Sequence, residues 1–427
     1  MAPSKQRALW FAATGTAALL LLCGCGGAGS GAQRSATAVA SGSASLASKL
    51  PAPVDAPLPP EVQQQLQAML DGSRSELQYP GAIAGVWSPA GTWIGTVGNS
   101  GKDSKRAPQR DDHTRIGSLT KTFTVMALLQ LADQGRVSLD DPIGKYVPGV
   151  PNADTATLRT LANMTSGIPS YTADPKFGEE WSASPDRTFT PQQLVDYVKT
   201  TPASFPAGTQ VQYSNTNTVL LGMVIEQITG KPVAEVFRTN LLQPLGMTQT
   251  SFPGLSADLP KPHLDGITEQ GKPEGQAKDA TYWNPSWGFT AGEMISTLDD
   301  LRVWTVALGT GAGLVSEAMQ AEREKSTLST VPPNNVEQTY ALGFFTRYGW
   351  WGHNGSLPGY TTFAAYQPNS KTSIVVMVNS DITSEQQPTA PADLVARAMM
   401  SELADAGLVP PPPSASESAG ASPPSPG

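Results

Sequence analysis

Two runs rich in Ile, Val and Trp, GAIAGVWS and GTWIGTVG, meet around the turn residues Ser88, Pro89, Ala90 and Gly91. β-Branched and aromatic side chains suit a pleated surface, so this pattern predicts a hairpin near the start of the chain. Near the far end, ALGFFTRYG, TTFAAYQP and TSIVVMVNS predict three more strands, and ADLVARAMMSELADAG carries a helical period. Between these ends the apolar spacing is helical and closes on glycine. One segment runs from Arg115 to Gly135, a second (NTVLLGMVIEQITG) ends at Gly230, and a third (TLDDLRVWTVALGTG) ends near Gly309. Strands joined by short turns pair antiparallel. The expected fold class is therefore α/β in the α+β sense: an antiparallel sheet built from both chain ends, flanked by helices, with a mostly helical subdomain between.

The outer segments break this pattern. Lys5 and Arg7 precede an apolar run from Ala8 to Leu22, the layout of a secretory signal peptide. That run ends in Leu22, Cys23, Gly24 and Cys25, which resembles the bacterial lipobox and implies lipid attachment at Cys25. Two acyl chains there would hold the protein on a membrane. The rest of the segment to about residue 60 is rich in Ala, Ser, Gly and Pro, a composition that buries too little apolar surface to fold. The expected division is a lipoprotein signal peptide over 1–24, a disordered tether over 25–60, a folded body over 61–407 and a disordered Pro/Ser-rich tail over 408–427. No internal repeat divides the body.

Composition removes several function classes. With 427 residues and a formal charge of -8 there is no basic face for nucleic acid. The two cysteines both lie in the leader, so the mature body has no thiol pair for a disulfide. There are three histidines and no HExxH or Cys/His cluster, so no metal or organic cofactor is implied. His113 and His263 fall in polar, turn-rich stretches and are expected in solvated loops. A Ser-His-Asp hydrolase would want a Gly-x-Ser-x-Gly elbow, which does not occur.

Candidate chemistry centres on RIGSLTKTFTVMALLQLADQG. Residues three apart share a helix face about 5 to 6 Å from each other, so Ser118 and Lys121 can meet. The residues that follow are apolar nearly all round, which predicts a helix through a core. Burial there would lower the lysine pKa and leave an amine able to take a serine proton. The alternative is an N-capping serine and a snorkelling lysine. Two more polar clusters follow in order: Tyr213, Ser214 and Asn215 at a loop-to-helix junction, and His353, Asn354 and Gly355 at the start of a strand.

These three clusters, SLTK, YSN and HNG, resemble the Ser-x-x-Lys, Tyr-x-Asn and Lys/His-x-Gly triplet of the penicillin-recognising serine enzymes. That group holds class C β-lactamases, DD-carboxypeptidases and related esterases. TSGIPSY after Met164 and WGFTAGEMISTLDDL from Trp287 extend the resemblance, and a second Tyr-x-Asn at Tyr282 and Asn284 lacks the same context. The resemblance implies that Ser118 is the nucleophile, that Lys121 or Tyr213 is its base, and that Asn215 orients Lys121. It implies an oxyanion site at the N–H groups of Ser118 and Ser356. His353, Asn354, Gly355 and Trp287 would line the substrate pocket, His353 facing a substrate carboxylate with a charge that changes near neutral pH. Tyr171 and Trp181 are read as core or surface aromatics. The implied function is an exported serine acyl hydrolase, D-alanyl-D-alanine carboxypeptidase-like, with β-lactamase or ester hydrolase as alternatives. A non-catalytic peptidoglycan or ligand sensor is the alternative of another class. The partners implied are a small-molecule or peptide substrate and, through the lipid, a membrane.

Overall fold

The computed structural model describes residues 46–270, 276–328, 330–335, 338–384 and 387–411, all within the unit Ala44–Gly427. The leader, including Cys25, and most of the Pro/Ser-rich tail lie outside them. Seven strands form one sheet: β1 (Gly81–Ser88), β2 (Gly91–Gly98), β3 (Gln338–Tyr340), β4 (Phe345–Arg347), β5 (Trp350–Leu357), β6 (Tyr360–Gln367) and β7 (Thr372–Val378). Their order is β2-β1-β7-β6-β5-β4-β3, with every neighbour antiparallel. The β1–β7 pair, with Ala84 opposite Val376, joins the two ends of the body. The sheet is thus made from both chain ends, as the pattern predicts.

Five helices frame the site: α1 (Pro60–Leu77), α2 (Thr120–Asp133), α3 (Asn215–Thr229), α4 (Leu298–Thr310) and α5 (Pro391–Asp405). The period of two sorts strand side chains between two cores. Ala82, Ala84, Val86, Ile374 and Val376 pack with α1 and α5, while Ile83, Trp87, Val375 and Met377 join the core of α2, α3 and α4. With both faces covered, β1, β6 and β7 are buried throughout, which is why TSIVVMV reads as one apolar run without polar alternation. α2 is buried at every position from Thr120 to Leu131 and packs on α3.

Some expected boundaries shift. The third middle helix does not stop at Gly309 but runs to Thr310 and ends on Gly311, whose φ of 72° suits glycine. Gly309 lies inside the helix because a Cβ there would collide with the Tyr366 ring. The tether expected up to residue 60 is not free over its last part. Leu58 is buried, its N–H donates to the Thr92 carbonyl, and Thr92 N–H donates to Ala56. At the other end Val409 is buried, two residues past the expected boundary. No helix among the described residues is long and apolar enough to cross a membrane.

Candidate active site

A short 3₁₀ turn, Gly117–Leu119, leads into α2 and carries Ser118, which is half-buried. Lys121, one turn on, has no exposed surface. Its Nζ lies 3.0 Å from Ser118 Oγ and donates at 2.6 Å to the carbonyl of Ala291. Burial without a carboxylate partner holds this amine well below the usual lysine range. The segment supplying the carbonyl is a fixed turn, Phe289–Ala291, with Phe289 at a φ of 36°. Thr290 locks it: its hydroxyl donates to Thr218 O on α3, and its carbonyl accepts from Thr124 Oγ1 on α2, both at 2.7 Å.

Tyr213 precedes α3. The residue is 43 % exposed and lines the cavity, yet its phenol oxygen turns inward to the Ser118 hydroxyl. Burial of that end raises its pKa, and the contact with Ser118 opposes the rise only partly. Lys121 Nζ is 4.8 Å from the ring centroid. The pair is therefore an amine whose proton is weakly held beside a phenol whose proton is firmly held. Asn215 departs from expectation. Its Nδ2 donates to Thr172 Oγ1 and its N–H to Ser170 Oγ, each at 3.1 Å, so it fastens α3 to the 170–172 turn while Ala291 orients Lys121.

β5 brings in the third cluster from its middle rather than its start. Gly355 has no room for a side chain, since a Cβ would collide with the Ile116 carbonyl, and a Cβ on Gly117 would stand 2.6 Å from Ser356 N. Thr362 Oγ1 on β6 donates to Ile116 O at 2.9 Å and ties the same turn down. The close approach at Gly355 is thus made by the backbone turn that carries Ser118. It sets the Ser356 N–H beside Ser118, whose own N–H opens a helix where amides lack intrahelical acceptors.

His353 is buried and does not titrate near neutrality. Desolvation, with Lys121 and Arg347 nearby, lowers its pKa to about 3. Its Nδ1 lies 2.6 Å from the Asn354 carbonyl and its Nε2 3.0 Å from Tyr340 Oη. Asn354 Nδ2 donates to Asp393 Oδ2 on α5 at 2.8 Å.

These groups border a cavity of about 460 Å³ reaching from Ser118 past Tyr213 and His353 to Tyr340, Gln338 and Arg347. Trp287 is not on its lining; its ring packs against Phe177 and Trp181, and its carbonyl accepts the buried Tyr171 hydroxyl. Tyr282 is elsewhere, paired with His263, and Asn284 caps a 3₁₀ turn. His113 is buried and bonded to Pro262 O, not solvated, because it pairs with His263 across a bridge. Among the described residues no group of three or more His, Cys, Asp or Glu could hold a metal ion. Two contributors escape the sequence reading. Ala291 acts through a carbonyl, which leaves no side-chain signal, and Tyr340 follows the polar stretch EQT with no motif to mark it.

Comparison with known proteins identifies the family. Residues 62–398 match the family model described as Beta-lactamase. Protein flp of Staphylococcus aureus is 25 % identical over 335 residues, 76 % of this chain, which spans 64 % of that relative's length. The crystal structure of a D-stereospecific amidohydrolase from Streptomyces sp. superposes with a TM-score of 0.69 at 32 % identity, covering 80 % of this chain and 96 % of that one. D-amino acid amidase from Ochrobactrum anthropi SV3 gives a TM-score of 0.70 at 26 % identity, covering 81 % and 99 %. The chain belongs to the Beta-lactamase family of serine penicillin-recognising proteins.

Proposed function

We propose that the protein is an acyl hydrolase working through an ester of Ser118, on amide bonds next to a D-configured residue. The observation that carries this is the 3.0 Å approach to Ser118 Oγ of a buried Lys121 amine whose pKa burial holds well below the usual lysine range. In the first step Oγ attacks the substrate carbonyl and its proton passes to Lys121 Nζ. The oxyanion that forms accepts from the N–H groups of Ser118 and Ser356. The C–N bond breaks as the leaving amine takes the proton, through the Tyr213 phenol, and Lys121 is again neutral. Water then attacks the ester, the acid leaves, and Ser118 regains its proton.

The raised pKa of Tyr213 supports Lys121 as the first base, with the phenol as relay. The D-selective relatives support the stereochemistry, and D-alanyl-D-alanine peptides and D-amino acid amides both fit it. The LLCGC segment supports a protein exported and held at the outer face of a bacterial membrane through Cys25, where peptidoglycan stem peptides are within reach. Turnover of D-phenylalanine amide, a D-alanyl-D-alanine peptide, nitrocefin and p-nitrophenyl acetate tests the reading. Amide or peptide hydrolysis that vanishes in Ser118→Ala is expected. Hydrolysis of the acetate alone would make it an ester hydrolase, and hydrolysis of none would leave a binding protein.

A further inference from the structure

Both ring nitrogens of His353 are spent inside the protein. The Asn354 carbonyl, 2.6 Å from Nδ1, can only accept, so Nδ1 carries the proton. Nε2 then holds a lone pair, and the Tyr340 hydroxyl 3.0 Å away donates to it. A donor placed on the neutral form opposes protonation. The charged and titratable groups around the ring act in the same direction. Arg347, and Lys121 whenever it takes up a proton, disfavour a further cation, and the phenols of Tyr213 and Tyr340, at ring distances of 6.1 and 5.7 Å, are held protonated by burial.

The charge on the cavity lining is already matched. Arg347 pairs with Asp393 at 3.0 Å, donates to Gln338 Oε1 at 3.1 Å and lies over the Phe345 ring at 5.1 Å. A carboxylate entering here would shed its water and meet no unpaired cation among the described lining residues, which is costly. An amide or ester group loses far less.

We propose that Tyr340 sets substrate choice: its hydroxyl, given to His353, keeps this cavity suited to an uncharged group such as a carboxamide or alkyl ester over a free carboxylate. The inference rests on the acyl-hydrolase reading of Ser118 and narrows it from carboxypeptidase towards amidase chemistry. Tyr340 is a positioning residue in this scheme, acting through the imidazole.

The test compares D-phenylalanyl-D-alanine amide with D-phenylalanyl-D-alanine, which differ only in the terminal group. The native enzyme should favour the amide in kcat/KM by about ten-fold or more, near pH 7. In Tyr340→Phe the preference should fall by roughly three-fold or more near pH 6. The His353 imidazole, one of three in the chain, should then titrate higher by NMR. Equal or better use of the free acid by the native enzyme overturns the inference, whether or not the variant folds. An equal loss on both substrates in Tyr340→Phe, with the His353 titration unmoved, also overturns it. Fluorophosphonate labelling run in parallel separates the two readings. A labelled Ser118 without selectivity removes only this inference, whereas an unlabelled one removes the hydrolase itself.

Discussion

Lys121 is wholly buried, and its Nζ is shared between Ser118 Oγ and the Ala291 carbonyl. The native state leaves this amine unprotonated at pH values where the unfolded chain holds a proton, below 10.5. The unfolded state therefore binds more protons, and native stability rises with pH through that window. Against Lys121→Met, which cannot titrate, the native protein should gain up to about 1.4 kcal/mol per pH unit as pH rises towards 10.5. Urea unfolding at a series of pH values checks this, and a gap that widens against the native protein would contradict it. The same variant should lose acylation by roughly 10² to 10⁴-fold, since the proton of Ser118 then has no acceptor.

Between elements, the 3₁₀ turn Gly117–Leu119 that leads into α2 meets β5 backbone to backbone. Gly117 and Gly355 leave out the side chains that would separate them. Gly355→Ala should push the Ser356 N–H away from Ser118 and cut acylation by about 10² to 10³-fold, as for the loss of one oxyanion donor. Burst kinetics measure that step; an unchanged burst would show that Ser356 takes no part. The helical spacing of SLTK was enough to foresee that Ser118 and Lys121 meet, because that contact is local. The hairpin and most of the terminal strands are legible for the same reason, but Gln338–Tyr340 lies ahead of the run ALGFFTRYG that carries the strand pattern. What could not be read depends on distant chain. His353 looks like a neutral-pH switch in sequence, and only its burial between Tyr340, Phe345 and Tyr213 makes it a fixed neutral ring. Asn215 finds Thr172, and Trp287 finds Phe177 and Trp181, partners that no spacing rule specifies.

The whole molecule is closed by its ends. β1 and β7 pair across nearly the full length of the body, and the segment before α1 lies along the edge strand β2, where Pro57 bridges to Thr92. Leu58 fills the outer core, Thr92 Oγ1 donates to Val54 O at 2.6 Å, and Arg302 donates to Pro51 O at 2.6 Å. A soluble form starting at Pro60 should be less stable than one starting at Ala44 by about 3 kcal/mol, from one buried leucine and several hydrogen bonds. Equal urea midpoints and slopes would contradict that. If Lys121 activates Ser118 by taking its proton, the pH dependence of fluorophosphonate labelling, followed by intact mass, reads the titration of that amine. One adduct on Ser118 is expected, absent from Ser118→Ala, forming with a midpoint far below 10.5. An adduct elsewhere, or a midpoint at the ordinary lysine value, would contradict it.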